Sequence, residues 1–221
     1  MPASSPTPAP ATVAAMDAAA LRAGLARARR TIDRHATALT RLDTVLGDGD
    51  HGDNLAIGFR AVEELVSALP PETLPGELLR TVGHALVSAV GGASGPLYGT
   101  AFIEAGFRAG SAATIDLPLA ASMLEAATDG LARRGRCTVG DKTILDTLSP
   151  AAMALTTAAA IGADAGTAAR ATVRAALAGM RSTRPLVARR GIALRLGERS
   201  AGHLDPGAVS CLLILLAFAR R

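Results

Sequence analysis

Apolar residues recur at three- and four-residue intervals almost continuously from residue 15 onward, and no stretch alternates strictly between apolar and polar. That period puts an apolar stripe along one side of a helix, whereas a half-buried strand needs a period of two. The pattern therefore confines the chain to an all-α fold. Its breaks divide it into about eight helices, at 15–45, 53–69, 75–90, 95–111, 117–134, 142–161, 164–182 and 206–220. Pro70, Pro71, Pro75 and Gly76 separate the second from the third, and Gly91-Gly92 ends the third. Asp116 with Pro118, and Asp205 with Pro206, are helix-start signals, because a carboxylate cap and an early proline suit the first turn. Residues 186–196 (LVARRGIALRL) are expected as an irregular loop.

Hydrophobic residues make up 49% of the chain and aromatics only 2%. Alanine and leucine must therefore build the core, which favours closely packed helices over sheets. A length of 221 residues suits one domain with a tail. Residues 1–13 (MPASSPTPAPATV) read as a disordered tail and residues 14–221 as the domain. The tail lacks the charged start and apolar run of a secretory signal. The longest apolar run, Ala208 to Ala219, is far short of the roughly 20 residues a membrane span needs, so it reads as a buried helix and no membrane role is expected. The net charge of +4 comes almost wholly from arginine, with Lys142 the only lysine. These arginines are scattered over helical faces without aromatic stacking partners, which argues against nucleic acid. Cys137 and Cys211 lack metal-site spacing and fit a reducing cytoplasm as buried thiols.

The glycines are less evenly spread. They cluster with polar residues at 47–52, 91–99, 130–140 and 197–207. A bundle held by packing alone has no need of such loops, and several at one end suggest a ligand held by backbone amides. In LDTVLGDGDHGDN (42–54), Asp43, Asp48, Asp50 and Asp53 crowd together on a net-positive chain. Carboxylates so close repel unless a hard cation compensates them, and three on one dication leave positions for water and phosphate oxygens, as Mg²⁺ prefers. A calcium loop is excluded because no glutamate closes it. In GGASGPLYG (91–99), small residues open a helix at Ser94-Gly95, whose free N–H groups would seat a phosphate. In GDKTILDTLSP (140–150), Asp141 interrupts a G-x₄-G-K-[ST] pattern and no strand precedes it, so it is no P-loop. Asp141 is expected to cap the sixth helix, with Lys142 and Thr143 in its first turn. The fourth motif is LGERSAGHLDPGA (196–208), in which charges alternate with glycines before the last helix. His51 and His203 lie inside motifs and are expected on the ligand side, and His84 is expected in the core or on the surface.

In order and spacing the four motifs resemble the nucleotide-binding subunit, subunit L, of dihydroxyacetone kinase, a domain found also as the C-terminal part of single-chain dihydroxyacetone kinases. The resemblance spans about residues 20 to 220. It implies a barrel of eight antiparallel helices with ADP or ATP in the loops at one end. It implies that Asp43, Asp48 and Asp50 hold two Mg²⁺ ions bridging the phosphates, and that His51 to Asn54, including Gly52, contact the nucleotide. By the same resemblance Ala93 and Ser94 meet the phosphates, Gly135 and Ile144 border the adenine, and Asp205, Pro206 and Gly207 close the site, while the helix start expected near Thr143, like that near Ser94, would add partial positive charge toward the nucleotide. It implies a partner subunit K that carries dihydroxyacetone covalently on a histidine and, in phosphotransfer-linked systems, a subunit M that rephosphorylates bound ADP. A homodimer is compatible with it. The chain departs from the family where Ile192 replaces an arginine and Leu194-Arg195 replaces Ser-Tyr. Arg189, Arg190 and Arg195 are candidate substitutes, and the acceptor could be another ketose or a tetrose. Two rival readings are a nucleotide-loaded regulatory docking module and a fatty-acid-kinase-like domain, the latter disfavoured by the turn after the aspartates and the lack of a second domain.

Overall fold

The computed structural model describes residues 15–220, so the tail expected over 1–13 lies outside the described residues. Among them are eight α-helices: α1 (Ala18–Leu46), α2 (His51–Ala68), α3 (Pro75–Ala89), α4 (Ser94–Ala109), α5 (Leu117–Gly135), α6 (Leu145–Ala160), α7 (Ala165–Ser182) and α8 (Pro206–Ala219). Each packs against the next, and α8 returns to α1, so the helices close into a barrel. Most connections are short, which makes neighbours antiparallel. The α1–α2, α3–α4, α5–α6 and α7–α8 connections therefore gather at one end, the site end. The other three connections lie at the opposite end.

The apolar spacing accounts for the packing. On α1 the inward face carries Leu21, Leu25, Ala28, Ile32 and Leu39. Leu55, Phe59 and Val62 of α2 meet Leu78, Val82 and Leu86 of α3, all six nearly or fully excluded from solvent. Helix α8 is apolar on almost every side because it touches α1, α6 and α7 together. A smaller cluster of Ala151, Ala176, Met180, Ala208 and Leu212 joins the last three helices. Alanine-rich faces bring helix axes close but fill little of the middle. An apolar cavity of about 680 Å³ remains inside, its lining including Leu79, Phe102, Met123, Leu131 and Ile214. No helix among the described residues is long and apolar enough to cross a membrane.

Four local expectations are corrected. Helix α1 starts at Ala18, not 15, because Met16–Asp17 pairs antiparallel with Thr114–Ile115 and the Asp17 carboxylate caps Ala20 N at 2.8 Å. A two-residue pairing is too short to leave an alternating signature. Helix α2 starts at His51 rather than 53, since Asn54 N already donates to Asp50 O at 2.9 Å. Helix α6 starts at Leu145, so Asp141, Lys142 and Thr143 lie outside it. There Gly140 and Lys142 both take positive φ, 97° and 64°, which no helix continues. The Asp146 carboxylate reaches back to accept from Gly140 N (2.6 Å) and Thr143 N (2.7 Å), while Asp141 accepts from Thr138 N (3.0 Å). Finally, the stretch expected as loop ends in 3₁₀ turns over Ile192–Ser200, kinked at Gly197.

Three arginines serve the opposite end. Arg22 donates to Val66, Leu69 and Pro70 carbonyls at the end of α2, Arg27 to Ala217 O of α8 at 2.8 Å, and Arg80 to Gly106 O of α4 at 3.3 Å. Last-turn carbonyls lack helical partners and carry negative partial charge, so a guanidinium suits them.

Candidate phosphate and metal site

Helix α1 ends at the first motif. Gly47 N donates to Asp43 O, and the Asp43 carboxylate fills the space a Cβ at Gly47 would need. Gly49 turns the chain with φ of 79°, a left-handed conformation costly for other residues. The turn directs three amides at one oxygen: Asp43 Oδ2 accepts from Gly49 N and Asp50 N at 3.0 Å and from His51 N at 3.2 Å. The buried Asp43 carboxylate is thus fixed in place. Asp48 and Asp50, both exposed, each bring a carboxylate oxygen to it, all three lying within 4.8 Å of one another. Asp53 is exposed in the first turn of α2 and outside this cluster. Partial burial first, then the charges of Asp48 and Asp43, push the Asp50 carboxyl above its usual range against a hydrogen bond with Asn54. Three mutually repelling carboxylates form an oxygen-only donor set that suits a hard dication and leaves room for water or phosphate oxygens.

Two helix starts flank this cluster. The Gly52 and Asp53 amides of α2, and the Ser94 and Gly95 amides of α4, have no intrahelical acceptor. Gly52 is buried against Ala36 and Thr40 of α1, Asn54 lies against Gly91, Ala93 is exposed and Ser94 half-buried. The His51 imidazole turns inward, with Nδ1 3.0 Å from Ser94 Oγ and Nε2 2.9 Å from Ser210 Oγ. Burial pushes its pKa down against the pull of Asp43, which favours the neutral ring.

The remaining expected residues form a second group. Gly135 ends α5 against Leu97 and Cys137, and buried Ile144 abuts Gly207. Thr143 Oγ1 accepts from Leu145 N at 3.2 Å. Asp205 caps α8 through Ala208 N at 2.7 Å, followed by buried Pro206 and Gly207. Burial pushes the Asp205 carboxyl up to about 7, with Lys142 drawing it back. The two groups meet at Gly207 O, which accepts from Ser210 Oγ (3.0 Å) and Tyr98 OH (3.2 Å).

The roles of several residues at this end escaped the sequence reading. Lys142 is 2% exposed, and its Nζ donates to Thr183 O at 2.7 Å and His203 O at 2.5 Å, tying both ends of the α7–α8 connection to the α5–α6 loop. Burial lowers its pKa, opposed by Asp205 and Asp146. Arg190 Nε pairs with Asp141 Oδ2 at 3.1 Å and Arg189 N donates to Asp141 O at 3.1 Å, so Arg190 is committed to that loop. Being the only lysine and the only tyrosine was the available signal for Lys142 and Tyr98. Ser210, a polar residue inside an apolar run, was the signal for the third. Ile192 is half-exposed, and His84 and His203 are exposed, His203 taking part through its carbonyl.

The model of the DAK2 domain matches residues 45–220. The chain belongs to this family. The ADP-binding subunit DhaL of PEP-dependent dihydroxyacetone kinase 2 from Listeria innocua serovar 6a is 39% identical over 188 residues, covering 83% of this chain and 85% of that protein. The corresponding ADP-binding subunit DhaL from Escherichia coli K12 is 38% identical over 181 residues, covering 82% and 86%. The crystal structure of the dihydroxyacetone kinase from C. freundii in complex with AMP-PNP and Mg²⁺ aligns with a TM-score of 0.68 and 26% identity. That alignment covers 99% of this chain, which spans 37% of the longer C. freundii chain.

Proposed function

We propose that this DAK2-family chain, over residues 14–221, is the nucleotide-binding subunit of a cytoplasmic dihydroxyacetone-type kinase. It holds ADP or ATP with two Mg²⁺ ions at the site end of the barrel and passes the terminal phosphoryl group to dihydroxyacetone or a related ketose carried by a partner subunit K. A phosphotransferase subunit M would recharge bound ADP. The observation that carries the reading is the Asp43, Asp48 and Asp50 carboxylates, their oxygens within 4.8 Å of one another, beside the open helix starts of α2 and α4. Relatives similar along most of their length, named as ADP-binding subunits, support the same reading.

Phosphoryl transfer asks the protein chiefly for positioning and charge neutralisation. Asp43, Asp48 and Asp50 would hold the metal, whose chemistry is to offset charge on the phosphate oxygens. The amides of Gly52, Asp53, Ser94 and Gly95 supply partial positive charge. Gly135, Thr143, Ile144 and Asp205 to Gly207 line the neighbouring side, where the base would lie. The loop connecting α7 to α8, fastened by Lys142 and Arg190, positions that wall.

Calorimetric titration of the full chain with ADP and ATP, with and without Mg²⁺, tests the proposal. Tight Mg-dependent ADP binding, above all ADP that co-purifies, supports recharging by subunit M. Readily reversible ATP preference points to an ATP-dependent kinase subunit. Binding of neither overturns the reading, the nucleotide-loaded docking module included. Ile192→Arg then reports on the family departure: tighter binding means a missing contact, and no change means a rebuilt pocket.

A further inference from the structure

A line of four side chains runs from the barrel interior to the site: Tyr98, Ser210, His51 and Ser94. Tyr98 OH lies 2.7 Å from Ser210 Oγ, Ser210 Oγ 2.9 Å from His51 Nε2, and His51 Nδ1 3.0 Å from Ser94 Oγ. Tyr98, Ser210 and His51 are buried, and only half-buried Ser94 reaches the surface. The line joins the N-terminal ends of α2, α4 and α8. We infer that His51 is a positioning residue that acts through Ser94: in the nucleotide-loaded protein it carries its proton on Nδ1, donates it to Ser94 Oγ, and so frees the Ser94 hydroxyl to donate to a phosphate oxygen. The inference rests on the proposed phosphate site.

The number of protons along the line limits it to two arrangements. Each hydroxyl has one proton, and a neutral imidazole has one on either nitrogen. In one arrangement the donors point inward. Ser94 donates to Nδ1, Nε2–H to Ser210, and Ser210 and Tyr98 donate toward Gly207 O and each other. Every proton is then used within the protein, and Ser94 offers an incoming phosphate only lone pairs. In the other arrangement the donors point outward. Tyr98 donates to Ser210, Ser210 to Nε2, and Nδ1–H to Ser94, whose own proton is left over. Each residue holds one proton in both cases. Only the hydroxyl rotors and the ring nitrogen bearing the proton differ. A phosphate oxygen at neutral pH is an acceptor, so it stabilises the outward arrangement alone. His51 is also anchored at its other end, its backbone N–H donating to Asp43 Oδ2 at 3.2 Å. One residue therefore sets both a carboxylate of the metal cluster and a hydroxyl of the phosphate seat.

The test uses the full chain labelled with ¹⁵N-histidine, observed by long-range ¹H–¹⁵N NMR at saturating Mg-ADP, the His51 signals being assigned by their loss in His51→Asn. The expected result is protonated Nδ1 and bare Nε2. Protonated Nε2 in the loaded protein overturns the inference. A double-mutant cycle gives a second measure. Ser94→Ala and His51→Ala should each weaken Mg-ADP binding roughly tenfold, and the double variant should be no weaker than Ser94→Ala. His51→Asn, whose amide can replace Nδ1–H, should recover most of the affinity. Additive losses of roughly a hundredfold, or no recovery by His51→Asn, overturn it. If the wild-type chain binds no Mg-ADP, the proposed function falls and this inference with it. If it binds with the wrong tautomer or additive losses, this inference alone falls.

Discussion

The two ends of the barrel are built from the same helices and solve opposite problems. At the end away from the site, ordinary devices finish most of the helices. Asp116 and Asp164 cap α5 and α7 through Leu119 N (2.8 Å) and Thr167 N (2.9 Å), and Arg22, Arg27 and Arg80 take up last-turn carbonyls. The Thr167 hydrogen bonds hold the Asp164 carboxyl below its usual range, as expected of a contented cap. At the site end two carboxyls shift the other way. The Asp50 and Asp205 carboxyls are pushed up, Lys142 is buried at positive φ, and the first amides of α2 and α4 lack helical acceptors. One end is arranged for stability, and the other carries the charge pattern on which the proposed nucleotide site rests.

The largest test of that contrast is Lys142→Met. Removing the buried ammonium leaves the Thr183 and His203 carbonyls without their charged donor, so we expect a loss of about 3–5 kcal/mol in urea unfolding. A loss below about 1 kcal/mol would show that the α7–α8 connection is held by other contacts. Asp50→Asn should act oppositely on fold and function. Mg-dependent ADP affinity should drop roughly a hundredfold, equivalent to about 2.7 kcal/mol. Thermal stability without Mg²⁺ should hold or rise, because a repelling carboxylate is gone. Unchanged affinity would remove Asp50 from the metal set.

The same contrast explains what was legible in the sequence. Helices and their order were, because the apolar period and the breakers at Pro70-Pro71 and Gly91-Gly92 are local signals. The carboxylate cluster was, because Asp43, Asp48 and Asp50 lie close together along the chain. The start of α6 was not. The cap rule favoured Asp141, but Gly140 and Lys142 turn left-handed and Asp146 reaches back from inside the helix. The tertiary pull of Thr183 and His203 on Lys142 decides that geometry, and nothing near Lys142 in the chain announces it. Ser210 and Tyr98 were hidden likewise, since Ser210 meets both His51 and Tyr98 from far away in sequence.

Asp205 offers a test through pH. Its folded pKa of about 7 lies above the usual carboxylate value because of burial. Below about pH 4 the group is protonated whether folded or unfolded, and it adds no pH dependence. Between about 4 and 7 the unfolded chain loses the proton first, so stability falls as pH rises, by at most about 1.4 kcal/mol per pH unit. Above about 7 the penalty is constant. Asp205→Asn should abolish that slope in unfolding measured from pH 4 to 8. An unchanged slope would assign the pH dependence to other groups.

The smallest expected effect is the control from the opposite end. Asp116 is exposed, and its carboxylate accepts from Leu119 N in the first turn of α5. Asp116→Ala should therefore cost about 1 kcal/mol, the usual loss when a helix cap is removed. Asp116→Asn keeps the acceptor oxygen and should restore most of it. Neither variant should alter Mg-ADP affinity, because α5 enters the site only at its far end, near Gly135. A cap loss that also weakened nucleotide binding would mean that the two ends communicate along α5. The division of the barrel into a stabilised end and a ligand end would then fail at that helix.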